Sequence, residues 1–172
     1  MEELTAILDQ MKKLRARLLA VSEAFPEQRW LETPAGGGWS ASEVFVHLGM
    51  VEAVVVGKAG EMMRTPPKPT PFLKRLHAPV SVTGLRFRRV ISPIPLDPKL
   101  ISEKPISIDR LAARRRETIE FIESTRGKNM SAYRFPHPFI GSLNLYDWFR
   151  FLGYHELRHA KQLREIVEKF QR

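Results

Sequence analysis

The sequence predicts an all-α protein, a four-helix bundle, and three observations predict it. Four segments carry apolar residues at steps of three and four, and hardly any stretch alternates as a strand does. The one long non-helical stretch, residues 64–106, has the length of a crossover joining two neighbouring helices that a tight turn could not join. With 172 residues and 43% hydrophobic composition, residues 1–172 suit a single domain with a real core.

The first helix is expected from about Glu3 to Ala24. Leu4, Ile7, Leu8, Met11, Leu14, Leu18 and Val21 fall on one face, and Pro26 discourages continuation. The second starts at a marked N-terminus: Ser40 as N-cap and Glu43 three positions on have the form of a capping box. Val44, His47, Leu48, Val51 and Val55 form its stripe, and it can extend to about Met63 before Thr-Pro-Pro breaks it.

Nine of the 13 prolines lie within residues 64–106, among many Lys and Arg, so this basic crossover between helices 2 and 3 is expected to be largely irregular. Within it, PFLKRLH can form a short helix and LRFRRVI a short extended piece. The third helix is expected from about Ile108 to Thr125, capped by Ser107, with Leu111, Arg115, Thr118, Ile119 and Ile122 as its stripe. Gly127 fits its C-terminal stop. The fourth begins near Leu145, with Asn144 as N-cap, and continues to about Phe170.

Composition removes several function classes. There is no Cys, hence no disulfide, thiolate ligand or Cys nucleophile, and an intracellular setting is the simplest reading. The charged N-terminus, MEELTAILDQMKKLRARLL, does not read as a secretory signal. No uncharged apolar run approaches the roughly 20 residues that cross a bilayer, so a soluble, cytoplasmic protein without a membrane partner is expected. A net charge of +9 raises the question of nucleic acid. The basic residues are dispersed, however, and no DNA-reading pattern accompanies them, which favours a basic solvated surface.

The chemistry lies in the histidines. On the fourth helix Trp148, Leu152, His155, His159, Gln162 or Leu163, Ile166 and Phe170 succeed one another by three or four. His155 and His159 therefore share the inward face, where residues four apart have Cβ atoms about 5–6 Å apart. His47 occupies the same kind of position on the second helix, between Val44 and Val51. Neutral imidazoles each bring a donor and an acceptor that need partners. Hydrogen-bonded core histidines and a shared metal ion both satisfy them, and spacing alone leaves both open.

WSASEVFVHLGMVE (39–52) and HPFIGSLNLYDWFRFLGYHELRHAKQLREI (137–166) resemble the two signature regions of the DinB/YfiT-like metalloenzyme superfamily. His-Pro-x-x-Gly before the last helix and Arg-His-x-x-Gln within it are similar to the DinB-like branch in particular. The resemblance implies that His47, His155 and His159 hold one divalent ion, zinc or nickel in most of the family. It also implies a metal-dependent hydrolase or thiol-group transferase, with a small-molecule substrate and in some relatives a low-molecular-weight thiol such as bacillithiol or mycothiol.

Around that centre, His137 is a candidate proton carrier in its Pro-flanked loop, and Glu52 and Gln162 are candidate hydrogen-bond partners for the ligand imidazoles. Glu156 and Arg158 are expected on a solvated or interfacial face, and Trp39 and Trp148 as core anchors. Basic residues of 64–106 are available to guide an anionic co-substrate. Two other functions compete: a non-catalytic metal-binding or stress-associated homodimer, and a basic nucleic-acid-binding bundle.

Overall fold

A computed structural model of the chain describes residues 2–86 and 92–171. Four long helices make the expected bundle: α1 (Glu2–Glu23), α2 (Ala41–Met62), α3 (Lys104–Ser124) and α4 (Leu145–Phe170). No helix among the described residues is long and apolar enough to cross a membrane.

Contacts step in the same direction along α2 and α3. Ser42 meets Ser107, Gly49 faces Leu111, Glu52 meets Arg115 and Gly60 faces Phe121, so the two helices run parallel. The same holds for α1 and α4, where Glu3 pairs with Arg150, Arg15 with Glu156, and Phe25, just past the end of α1, packs on Phe170. Parallel neighbours need a connection as long as the bundle, and residues 63–103 supply it. Among its described residues, three short 3-10 turns (Phe72–Arg75, Val80–Gly84 and Pro98–Leu100) punctuate it. The short helix expected in PFLKRLH is thus a single tight turn, and the extended piece expected over 85–91 lies outside the described residues from 87 onward.

The helix starts follow local chemistry. Ser40 Oγ accepts from Glu43 N at 3.2 Å, and Glu43 Oε2 accepts from Ser40 N at 2.7 Å, completing the capping box. Asn144 Oδ1 accepts from Asp147 N at 3.0 Å and caps α4. Ser107 is not the cap of α3. That helix starts earlier, with Glu103 at the N-cap and Pro105 in the first turn, where a missing N–H costs nothing. Ser107 is instead buried inside α3, its hydroxyl accepting from Trp30 Nε1 at 3.1 Å and donating to Ser102 O at 2.9 Å.

One element departs from the expectation of almost no strand: a hairpin of β1 (Arg134–His137) and β2 (Gly141–Asn144). Phe135, His137 and Leu143 point inward with the period-two alternation of a half-buried sheet. Each strand has only four residues and Pro136 interrupts the first, which hides the alternation in the sequence. Gly141 is needed at the turn. Its φ is +99°, and an added Cβ would stand 3.1 Å from Leu76 O and 3.2 Å from His77 Cβ, where the crossover passes. His77 Nε2, 3.2 Å from Asp147 Oδ2, ties the crossover to the start of α4.

Candidate metal centre

The capping box explains the location of the first histidine. It fixes where α2 begins, so that His47 falls on the face turned toward α4, and Trp39, just ahead of the cap, folds back over it with ring centroids 4.8 Å apart. Trp39 also stacks on His159 at 6.2 Å and 19°. Half-buried, it packs against the core as expected and also roofs the site, while Trp148 sits in the core, its Nε1 donating to Phe135 O at 3.2 Å.

The structure brings His47, His155 and His159 together. His155 Nε2 is 3.1 Å from His47 Nε2 and 3.1 Å from His159 Nε2. Among the described residues this group can hold a metal ion, with all three ligand atoms within 4.8 Å of one another. Two nitrogens bound about 2.0–2.1 Å from one ion stand about 2.9–3.4 Å apart, depending on the coordination angle. Both 3.1 Å separations from His155 Nε2 fall in that range.

The outer ring nitrogens fit as well. His159 Nδ1 lies 2.8 Å from Gln162 Oε1, which can only accept, so Nδ1 carries the proton and the Nε2 lone pair faces inward. His47 Nδ1 lies 3.4 Å from Ser92 Oγ, whose own proton goes to Ile94 O at 2.9 Å, so the imidazole is the donor there as well. With these protons on the outside, neighbouring Nε2 lone pairs confront one another at 3.1 Å, and His155 can donate to only one of its two neighbours. A shared cation resolves that conflict.

Burial keeps the rings neutral and their lone pairs available. It pushes the His47 pKa down to about 4. His155 and His159 are held well below the ordinary histidine value, chiefly by burial and then by each other's neighbourhood: His159 and His47 act on His155, and His47 acts on His159.

His137 lines the same cavity, from β1 rather than from a loop, and is buried against Trp148 and Phe151. Its Nδ1 accepts from Phe139 N at 3.2 Å, which leaves Nε2–H as the donor of the neutral ring, and burial lowers its pKa to about 4.

Glu52 occupies a different position from the one expected. Its carboxylate does not face an imidazole but accepts from Arg15 at 2.9 Å, from Arg115 Nε at 3.1 Å and from Thr118 at 2.8 Å. Glu156, expected on a solvated face, is 1% exposed and joins the same network through Arg115 at 2.8 Å. Arg15, Glu52, Arg115 and Glu156 contribute one member from each helix, a neutral crossbar directly behind the histidines. Sequence patterning signals it only as charged residues in apolar stripes: Arg115 interrupts one, and Glu156 adjoins His155.

A cavity of about 1070 Å³ opens from the three histidines. Trp39, Ser92, Phe151 and Arg86 contribute to its wall, and none of them was expected there from spacing alone. The crossover is held over α4 by Arg86, whose Nε contacts both Glu165 oxygens at 2.8 Å, and by Lys161 on Gly84 O at 3.0 Å.

The pattern of the DinB superfamily matches residues 10–163. The chain belongs to the DinB superfamily. It is also 27% identical over 148 residues to the protein YuaE of Bacillus subtilis (strain 168), covering 85% of this chain and 88% of YuaE. The crystal structure of TT2238, a four-helix bundle protein, superposes with a TM-score of 0.60 at 22% identity, covering 93% of this chain and 96% of TT2238. At that identity the likeness speaks to the bundle alone.

Proposed function

We propose that this DinB-superfamily protein is a metal-dependent enzyme, a hydrolase or thiol-group transferase, with His47, His155 and His159 holding a divalent ion. Imidazole suits several divalent ions, and zinc or nickel is the choice that the family resemblance implies. The observation that carries this reading is the convergence of three Nε2 atoms at the inner end of a large cavity. Three protein ligands beside open space are the arrangement of catalytic rather than closed structural zinc sites. A divalent cation held there would supply Lewis acidity and lower the pKa of a water or thiol toward neutrality.

The chain's own residues supply the remaining parts. Gln162 and Ser92 hold the outer nitrogens of two ligands and thereby fix ring orientation. Trp39 roofs the site and excludes water from one side. His137, with its pKa near 4, is a neutral hydrogen-bond donor at pH 7 rather than a proton carrier. It serves to orient a carbonyl or similar acceptor on the substrate.

Elemental analysis of the purified protein beside His155→Ala tests the centre, with about one ion per chain expected in the first and far less in the second. Turnover of a panel of esters, amides and thiol acceptors by the metal-loaded protein tests the reaction class. Equal metal in both proteins removes the centre, and a loaded protein inert to the whole panel removes catalysis.

A further inference from the structure

The cavity has a sign and a direction that the metal centre alone does not require. Among the described residues that line it, the charged side chains are Lys58, Arg86 and Arg158, and there is no carboxylate. Between its ends the wall is apolar: Val51, Val54 and Val55 along α2, and Phe135, Trp148 and Phe151 opposite.

The three cations are not equivalent. Arg86 lies at the histidine end, gripped by Glu165 and 3.5 Å from the Gln162 oxygen that also meets His159. Arg158 donates to Leu85 O. Both fasten the crossover to α4. Lys58 lies at the other end, eleven residues beyond His47 on α2, a rise of about 16 Å. It is exposed, and its Nζ rests 5.2 Å from the centre of the Phe135 ring and meets no carboxylate among the described residues. An ammonium held over an aromatic face at the mouth of an apolar channel is an anchor for an anion whose body fills that channel.

We propose that the cavity binds an elongated apolar carboxylic acid, its reacting end at the three histidines and its carboxylate at Lys58. This rests on the reading of the histidines as the reactive end. A ligand of that form removes its apolar body from water along α2 and places its charge where the protein offers the complementary one. Neutral ligands of the same length forgo the second contribution, and dianions with a charge in mid-chain meet the valine wall.

Calorimetry with decanoate and decanol tests it on the protein as purified, with and without a chelator, beside Lys58→Glu and Val54→Glu. Both substituted residues are exposed, so the fold should survive, which circular dichroism checks. Decanoate is expected to bind about tenfold more tightly than decanol whether or not the chelator is present. Lys58→Glu should abolish that preference, and Val54→Glu should weaken decanoate about tenfold or more. Equal binding of the two ligands overturns the proposal. So does a preference that vanishes with the chelator and ignores Lys58, because the carboxylate then sits at the metal; that outcome leaves the metal centre standing and removes only the Lys58 anchor. Indifference of decanoate to Val54→Glu places the ligand elsewhere and also overturns it.

Discussion

His159 Nδ1 and Gln162 Oε1 stand 2.8 Å apart, less than one turn along α4, and that contact sets which nitrogen of His159 faces the centre. Gln162→Leu leaves the ring free to adopt either tautomer or to turn. Loss of such a partner typically costs 10–100-fold in metal affinity. Competition with a chromogenic chelator should show that loss for Gln162→Leu, with the melting temperature of the metal-free protein nearly unchanged. Gln162→Glu, which keeps an acceptor in place, should restore most of the affinity.

Metal should also stabilise the fold. The three histidines come from two helices, so an ion held by them would tie α2 to α4 only in the folded chain. Binding to the folded state alone contributes about 2.7 kcal/mol when the free ion is at 100 times its Kd. Thermal melts with added zinc and with excess chelator should differ accordingly for the natural protein and coincide for His155→Ala.

Much of this was legible in the sequence, for reasons that differ by element. Helix stripes, the Ser40–Glu43 box and the Asn144 cap are local patterns, and each appears where its residues indicate. The inward placement of His47, His155 and His159 follows from the same periodicity. What periodicity does not carry is the partner across the bundle. Glu52 reads as available to an imidazole because the pattern of one helix does not show its neighbours, yet two arginines on other helices claim it. Trp39 packs against the core as its position suggests, but spacing does not show that it also covers the histidines, because it says nothing about how a chain folds back ahead of a cap. The hairpin was invisible because four-residue strands leave too few alternations to distinguish from a loop.

The crossbar should be costly to break. Arg115 donates to both Glu52 and Glu156, and its charged form is favoured by those two carboxylates despite burial. Replacing one member strands a buried charge, a change that typically costs about 3–5 kcal/mol. Urea unfolding of Arg115→Met should show a loss of that order. Adding Glu52→Gln to it should recover part of the stability, since the orphaned carboxylate is then neutral; a double variant less stable than Arg115→Met would show that the charge balance is not what holds the network.

Stability of the metal-free protein should fall with acid, and His137 should contribute to the fall. Unfolded, the ring takes a proton near its ordinary value of 6.5; folded, burial delays this to about 4. Between those values the unfolded chain binds the extra proton, so stability rises with pH across the window and is lost as pH falls through it. Each displaced pKa unit corresponds to about 1.4 kcal/mol. His47, also lowered to about 4 by burial, acts in the same sense. Glu156, whose pKa burial raises, acts in the opposite one, so the total slope does not isolate a single ring. His137→Phe does: the ring stays aromatic among Trp148 and Phe151 but cannot titrate. Urea midpoints in chelator between pH 7.5 and 4.5 should decline less steeply for this variant than for the natural protein, and parallel declines would mean that His137 is not buried in its neutral form.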